Sequence, residues 1–418
     1  MKRFDVNIVM FSVFIMWGGI GMFNAPSAFE LGGVLKIQDL LVGLVSIYLF
    51  VYTLKKSGLQ CIKKIMSPFG FLMIYGMVLG FLNGNKLINI AFEARIFVYL
   101  IIGLIVGMNM KRDDVLKSIV YYAIVVSLMV IIQWILLIVG VKKIFINGVN
   151  LGNEFSIGLP LIRPSSFHLL GVASAIIFSP WSPWKNSLIT KVVAVLALVI
   201  TQSKTYWLIL IGIILIINGY INFKRVVLSK KISKSYFFGV ILVINVILFA
   251  IITSSYIPAE NKYLSKVILM PYEKFKVIFV DNEIAYGVIG KRVAEAWVML
   301  KEWRESLVSM LFGKGLGFVY RDIGMFYFRV DIRDAERLAM FGHNFFLWLL
   351  LKFGIFGLLI FWQVIFKILK KGIKGDEMQK IFVMGLMTLI IGSVALGSIE
   401  ELIGSFMFGL LLAGTFRV

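Results

Sequence analysis

The sequence has very little of the chemistry on which many soluble enzymes depend. One cysteine, Cys61, and two histidines occur in 418 residues. A single thiol excludes an internal disulfide, and so few Cys and His residues, far apart, do not supply the ligand spacing of a zinc site. The chain also lacks a P-loop, a G-x-S-x-G motif, an H-E-x-x-H motif and the Asp pairs that hold magnesium–nucleotide sugars. We therefore expect neither a metal nor a cofactor.

Charge is scarce as well. Charged residues make up 16% of the chain, hydrophobic residues make up 60%, and the mean hydropathy is +0.93. These values exclude an ordinary soluble domain and predict a polytopic membrane protein. The net charge of +21 does not indicate a nucleic-acid partner, because the basic residues are dispersed between apolar runs. That dispersion is typical of topogenic charge.

A membrane-spanning helix needs about 20 apolar residues, with about 17 to 25 allowed. Twelve runs approach this length and predict an all-α fold with about 12 transmembrane helices. They lie near 6–23, 38–54, 66–82, 90–110, 117–140, 164–180, 191–203, 205–222, 236–255, 344–368, 380–398 and 402–416.

The positive-inside rule predicts the orientation of these helices. With a cytoplasmic N-terminus, the inner segments contain 22 Lys and Arg residues and the short outer loops contain five. One long helix over 192–223 would place the basic cluster 224–234 outside, so we divide that run at Gln202-Ser203-Lys204. Both termini are then expected to be cytoplasmic.

This topology predicts three regions. Residues 1–256 hold helices one to nine, residues 257–342 form one long outer loop domain, and residues 343–418 hold helices ten to twelve. The loop has 13 basic and 11 acidic residues, which favours a folded domain over a charged tail. Within it, residues 291–311 are expected to form one amphipathic helix whose apolar face holds Val293, Trp297, Leu300, Leu307 and Leu311. The glycine-rich stretch 312–317 should end that helix.

Charged residues within spans or at their outer ends are the informative positions, because their burial in a membrane is costly. Arg163 and Lys204 lie at outer ends, where each either binds a ligand or extends to the lipid headgroups. Glu93 and Arg95 are two residues apart, so they do not share a helix face. Each is expected to pair elsewhere, either in a structural ion pair or in a ligand site. Lys352, in the tenth helix, is expected to be a structural partner inside the bundle.

His343 is the candidate for proton transfer. An unperturbed imidazole titrates near neutral pH, so this residue type is suited to accept a proton. The residue ends the long loop and immediately precedes a span, where a rigid helix would meet an aqueous cavity. The position alone leaves a purely structural role open.

Several segments are similar to the family of O-antigen polymerases and O-antigen ligases. His343-Asn344, an apolar helix and then Gly354-Ile355-Phe356-Gly357-Leu358 resemble the family's HN and G-x-x-G-L pattern. Further segments resemble family motifs in the same order: Leu311–Gly317 (fGxGxG), Arg292 (an outer-loop arginine), Ile162–Phe167 (R-x-x-G-x-F, with Ser166 at the glycine) and Thr201–Thr205 (T-x-S-R-[TG], with Lys204 at the arginine). The resemblance covers roughly residues 160–365.

This resemblance implies a metal-independent glycosyltransferase that uses an undecaprenyl-diphosphate-linked oligosaccharide as donor. The enzyme would be multi-pass in the bacterial inner membrane, with its active site on the periplasmic face. His343 would be the catalytic base, supported by Asn344, which would either orient the imidazole or cap the start of the helix. Arg163, Arg292, Lys204 and Arg95 would bind the diphosphate, because cations stabilise a phosphate leaving group.

Three activities stay open. A polymerase joins the glycan to another lipid-linked repeat unit, and a ligase transfers it to lipid A–core. We favour the polymerase, for which the resemblance implies membrane lipid and a chain-length regulator protein as partners. A lipid-linked oligosaccharide flippase is the third activity, because many secondary transporters also have twelve helices and cytoplasmic termini.

Overall fold

A computed structural model describes part of the chain. It covers residues 30–31, 35–36, 51, 59–138, 148–150, 162–164, 167–184, 186–201, 295–321, 338–339, 344–396, 399 and 402–416. The predicted helices near 6–23, 205–222 and 236–255, and nearly all of 38–54, lie outside these residues. So do both termini and most of the long loop.

The described residues are mostly helical. Nine helices carry labels here: α1 (Leu59–Leu82), α2 (Leu87–Asn109), α3 (Arg112–Ile138), α4 (Phe167–Phe178), α5 (Leu188–Thr201), α6 (Leu307–Phe312), α7 (Phe345–Lys374), α8 (Glu377–Leu396) and α9 (Leu402–Phe416). Residues 295–303 are also helical. Eight of the twelve predicted apolar runs fall here, and all eight are confirmed as helices.

Short antiparallel strand pairs accompany the helices. They are β1 (Glu30–Leu31) with β2 (Leu35–Lys36), β3 (Gly148–Asn150) with β4 (Ile162–Pro164), and β5 (Tyr320–Arg321) with β6 (Leu338–Ala339). In the longest pair Val149 lies opposite Arg163. These ribbons are two or three residues long, so the fold remains dominated by helices.

Four of the described helices are long and apolar enough to cross a membrane. They are Leu87–Asn109, Arg112–Gln133, Phe345–Lys374 and Glu377–Val394. Four shorter apolar helices accompany them, at Ser67–Leu82, Leu169–Phe178, Leu188–Leu198 and Gly404–Phe416. This composition indicates a membrane-embedded helical protein.

Helix α2 is buried along most of its length. It packs most closely against α9, where glycines let the two backbones approach. A Cβ atom on Gly103 would lie 2.1 Å from the Phe406 carbonyl oxygen, and one on Gly409 would lie 2.1 Å from the Leu100 carbonyl oxygen. Small residues commonly permit such close packing of membrane helices, and here they fix the position of α2.

The prediction of one helix over 291–311 is wrong. Residues 295–303 are helical, residues 304–306 form a break, and Ser306 then caps α6 by accepting a hydrogen bond from the Ser309 amide. A serine hydroxyl at this position satisfies an amide that the helix itself leaves unpaired, so it favours a new start. The predicted apolar face is also wrong, because Trp297 is 60% exposed and Leu307 is 70% exposed.

Candidate functional site

Helix α7 is interrupted at Gly354. This residue has φ 65° and ψ −168° in the middle of an otherwise helical segment. Positive φ strains residues that carry a Cβ atom, so glycine is favoured here. An added Cβ would also lie 2.4 Å from the Leu311 carbonyl carbon. The interruption leaves carbonyl groups of the preceding turn without their usual helical partners.

The glycine-rich loop 313–317 supplies those partners. The Lys314 amide donates to the Leu351 carbonyl at 2.8 Å, and the Gly315 amide donates to the Lys352 carbonyl at 2.9 Å. On its other side, the Leu316 amide donates to the Gly76 carbonyl of α1 at 2.9 Å. Gly315 has φ 78°, and a Cβ there would lie 2.1 Å from the Gly80 amide nitrogen. The loop is therefore wedged between α1 and α7.

Two asparagines in the turn between α1 and α2 bind the same loop. The Asn85 side-chain amide donates to the carbonyls of Lys314 at 3.0 Å and Leu316 at 2.9 Å. The Asn83 side-chain amide donates to the Lys314 carbonyl at 3.1 Å. Buried backbone polar groups require partners, and these contacts satisfy carbonyls that no regular secondary structure pairs. Sequence reasoning missed both asparagines, since a polar turn gives no sign of what it touches.

A buried ion pair joins α2 to α7 beside the loop. The Lys352 ammonium lies 2.6 Å from a Glu93 carboxylate oxygen, and both side chains are fully buried. The carboxylate also accepts from the Trp348 indole at 3.2 Å and from the Gly317 amide. The ammonium donates to the Phe318 carbonyl. Such a pair is tolerated in the interior because hydrogen bonds satisfy both charges.

This pair confirms two expectations from the sequence. Glu93 does pair with a residue outside its own helix, and Lys352 is a structural partner inside the bundle. The participation of Trp348 was missed, because an aromatic residue in an apolar run ordinarily signals packing alone. Four elements thus meet at one point: α1, α2, α7 and loop 313–317.

Asn344 starts α7. Its side-chain oxygen accepts hydrogen bonds from the amides of Phe346 at 3.0 Å and Leu347 at 3.1 Å. This is the geometry of an N-cap, which satisfies two amides of the first turn. Of the two roles considered for Asn344, helix capping is therefore present. His343, whose imidazole it would orient, lies outside the described residues.

The predicted cations are described to different extents. Arg95 is largely buried on α2, and its guanidinium carbon lies 5.3 Å from the centre of the Phe92 ring. Arg163 lies in β4, where only its backbone is described. Lys204 and Arg292 lie outside the described residues. A shared phosphate site for these four side chains therefore stays a prediction.

Loop 313–317 also carries a charged contact at the surface. The Lys314 ammonium pairs with the Glu305 carboxylate and lies 5.4 Å from the centre of the Phe318 ring. The hydrogen bond and charge of Lys314 lower the pKa of Glu305 below its ordinary value. Within the described part of the chain, no group of three His, Cys, Asp or Glu side chains is placed to hold a metal ion.

Neither a protein-family model nor a curated protein matches this chain. Its residues and their geometry are therefore the grounds on which a function can be proposed.

Proposed function

We propose that this protein is a membrane-embedded glycosyltransferase of the O-antigen polymerase type. It transfers a glycan from undecaprenyl diphosphate to a sugar hydroxyl of another lipid-linked repeat unit. In this proposal the chain has about twelve spans, both termini are cytoplasmic, and the reaction takes place at the periplasmic face of the bacterial inner membrane without a metal ion.

One observation carries the proposal. The two segments on which the resemblance chiefly depends, Leu311–Gly317 and Asn344–Leu358, are folded directly against each other. Gly313 faces the Lys352 backbone and Gly354 faces the Leu311 backbone, each so closely that a Cβ would lie 2.4 Å from a carbonyl carbon. One glycine of each motif thus serves the same contact, whereas Gly315 faces Gly80 of α1 and Gly317 faces Ile90 of α2. Motif letters that matched by chance would not be expected to share one structural purpose.

This contact supports the role proposed for His343. The cap at Asn344, the ion pair of Lys352 and the loop contacts hold the first two turns of α7 in place. His343 directly precedes the cap, so its imidazole would be attached to a rigid element. A rigid support is what a general base requires, because proton transfer depends on a positioned group. We assign it the removal of the acceptor hydroxyl's proton as the new glycosidic bond forms.

The diphosphate leaving group requires cations. Arg163, Arg292 and Arg95 present planar guanidinium groups that can bind phosphate oxygens through two hydrogen bonds each. Lys204 would act as a point charge. Their positive charge would stabilise the negative charge that accumulates as the bond between the sugar and the phosphate breaks.

One feature of α7 also bears on the flippase alternative. Secondary transporters often use interrupted helices, whose freed carbonyls coordinate cations. Here the carbonyls of Leu351 and Lys352 already accept hydrogen bonds from loop 313–317. The interruption is thereby filled by the chain itself, which favours a structural junction over an ion site.

The test is transfer by the purified protein in lipid vesicles with EDTA present. The donor is one defined undecaprenyl-diphosphate-linked repeat unit, supplied alone and then with lipid A–core. Wild type is compared with His343→Ala and with His168→Ala, which alters the only other histidine. Asn344→Ser keeps a capping oxygen and should retain activity.

A ladder of lengthening lipid-linked products, lost in His343→Ala and retained in His168→Ala, is expected. Transfer that requires lipid A–core would identify the ligase instead. Movement of the lipid-linked glycan across the bilayer without any new bond would identify the flippase. Equal transfer by wild type and His343→Ala would remove the proposed base.

A further inference from the structure

Helix α6 presents an apolar face that other described residues leave uncovered. Leu307 is 70% exposed, Val308 is 63% exposed, and Leu311 and Phe312 are each more than two-fifths exposed. We call these four residues the α6 face. The helix contains no charged residue, and its one buried polar side chain, Ser309, is hydrogen-bonded to the capping Ser306. Large apolar surfaces of this kind mark contact with a protein or a membrane.

The end of the α6 face lies against α1, a helix that also exposes apolar side chains. The Tyr75 hydroxyl of α1 donates to the Phe312 carbonyl at 2.9 Å, which places the end of α6 against that helix. On the same helix Ile74, Val78 and Phe81 are exposed. Since α1 is an apolar helix of a membrane-embedded bundle, its exposed apolar side chains are suited to contact lipid. The α6 face extends that contact.

The backbone that follows α6 lies deeper in the helix bundle than the last turn of α1 and the first turn of α7. The Leu316 amide donates to the Gly76 carbonyl. Gly76 lies six residues before the end of α1 at Leu82, a distance of about 9 Å along the helix axis. The Lys314 amide donates to the Leu351 carbonyl. Leu351 lies six residues after the start of α7 at Phe345, again about 9 Å along the helix axis. Irregular backbone is tolerated at membrane depth only where it is buried in protein. Loop 313–317 meets that condition at all five of its amides, which donate to α6, α7, α1 and Glu93 of α2. The carbonyls of Lys314 and Leu316 accept hydrogen bonds from the α1–α2 turn.

The charges near α6 lie at one end of it. Arg304 and Glu305 precede the helix, and the Arg304 guanidinium lies 5.5 Å from the centre of the Trp297 ring. Lys314 follows the helix, yet its side chain extends back to Glu305. Tryptophan and basic residues favour the headgroup region of a bilayer, and lysines at depth extend towards it. The polar end of α6 is thus suited to headgroups and its face to acyl chains.

We propose that residues 307–318 form a re-entrant segment inserted into the leaflet on the side of the α1–α2 turn. The α6 face contacts lipid acyl chains, and Trp297 and Arg304 lie at the headgroups. Part of the segment between the ninth and tenth predicted spans therefore belongs to the membrane. This inference goes beyond the proposed transfer reaction and does not depend on it.

The experiment uses nitroxide labels on single cysteines in a Cys61→Ala background. The full-length protein is reconstituted into vesicles of phosphatidylethanolamine and phosphatidylglycerol. Val308→Cys and Leu311→Cys are the test positions, Val78→Cys on α1 is the lipid reference, and Glu305→Cys is the reference for the polar end of α6. All four side chains are exposed, so the labels should be accommodated. Collision with oxygen, which concentrates in acyl chains, is compared with collision with a water-soluble nickel chelate.

The labels at 308 and 311 are expected to match the label at 78, with high oxygen collision and little nickel collision. Nickel collision at 308 and 311 equal to or above that at 305 would place the α6 face outside the acyl chains and overturn the proposal. Low collision with both reagents, together with spin–spin broadening between labels, would show a second copy on this face and would also overturn it. The readout requires no enzymatic activity, so it can fail or succeed independently of the proposed function.

Discussion

Replacing Lys352 with methionine would remove the ammonium from the buried pair while keeping an unbranched side chain of similar length. The Glu93 carboxylate would then remain in the interior without a countercharge. Loss of one partner of a buried pair typically costs about 3–5 kcal/mol. The indole of Trp348 and the amide of Gly317 still donate to the carboxylate. We therefore expect a loss near the lower end, about 3 kcal/mol in the free energy of unfolding.

A double-mutant cycle separates the pair from the packing of its methylene groups. Glu93→Gln alone leaves the Lys352 ammonium buried without its carboxylate, so it should also be destabilising. The double variant removes both charges and should be more stable than the sum of the single losses predicts. Coupling between groups in direct contact commonly lies at about 0.5–3 kcal/mol, and full burial favours about 2 kcal/mol.

Unfolding would be followed by far-ultraviolet circular dichroism as the purified protein is titrated from mild detergent into sodium dodecyl sulfate. The matched control is Lys117→Met, which breaks an i,i+4 pair with Asp113 whose side chains are nearly half exposed. Exposed helical pairs contribute little to stability, because solvent screens them. Two results would show that the pair does not secure α2 to α7. One is a loss of unfolding free energy in Lys352→Met no larger than that in Lys117→Met. The other is a loss in the double variant equal to the sum of the losses in Lys352→Met and Glu93→Gln.

Three further outcomes follow from the same junction. Gly354→Ala should destabilise the protein by about 1–3 kcal/mol, because the alanine would have a positive φ and its Cβ would clash with backbone. Gly70 has open space around it, so Gly70→Ala should leave the stability unchanged. Thermal unfolding in detergent measures the stability of both variants. Asn344→Ala should cost about 1 kcal/mol through loss of the α7 cap, and Asn344→Ser should restore most of it in the same assay. Lys314 lowers the pKa of Glu305, so their pair stabilises the folded protein fully at pH values above the ordinary pKa of a glutamate, about 4.3. This stabilisation is lost as the pH falls through the lowered pKa of Glu305. Lys314→Met should therefore weaken the acid dependence of the unfolding temperature.

Each of these outcomes has a result that would contradict it. Equal stability of the two glycine variants would mean that the interruption of α7 relaxes without strain. Equal effects of alanine and serine at 344 would exclude the cap as the cause. An acid dependence unchanged by Lys314→Met would assign it to other carboxylates.

Hydropathy located the helices well, with errors at their ends. The run predicted at 66–82 belongs to a helix that begins at Leu59, and the run predicted at 344–368 belongs to one that continues to Lys374. A helix extends beyond its apolar stretch wherever polar residues can continue the backbone hydrogen bonds outside lipid. Pro68 is accommodated inside α1.

The long loop shows where local pattern fails. Spacing alone grouped Trp297 with Leu307 on one helix face. A Ser306 cap divides that helix, and the buried apolar side chains of the first part are Val298 and Met299. Periodicity detects an apolar stripe, but it does not distinguish a stripe facing protein from one left exposed. The exposed stripe on α6 is the basis of the re-entrant segment proposed above.

The sequence by itself determined that this is a helical protein rich in apolar segments, because helix formation and lipid compatibility depend on neighbouring residues. It also marked Glu93, Lys352 and the glycine-rich motifs as positions that need an explanation. Only the tertiary structure decided that Glu93 pairs with Lys352, which lies 259 residues later, and that loop 313–317 fills the interruption at Gly354. Partners so distant along the chain are selected by the packing of whole helices and by the requirement that buried charges and backbone groups be satisfied.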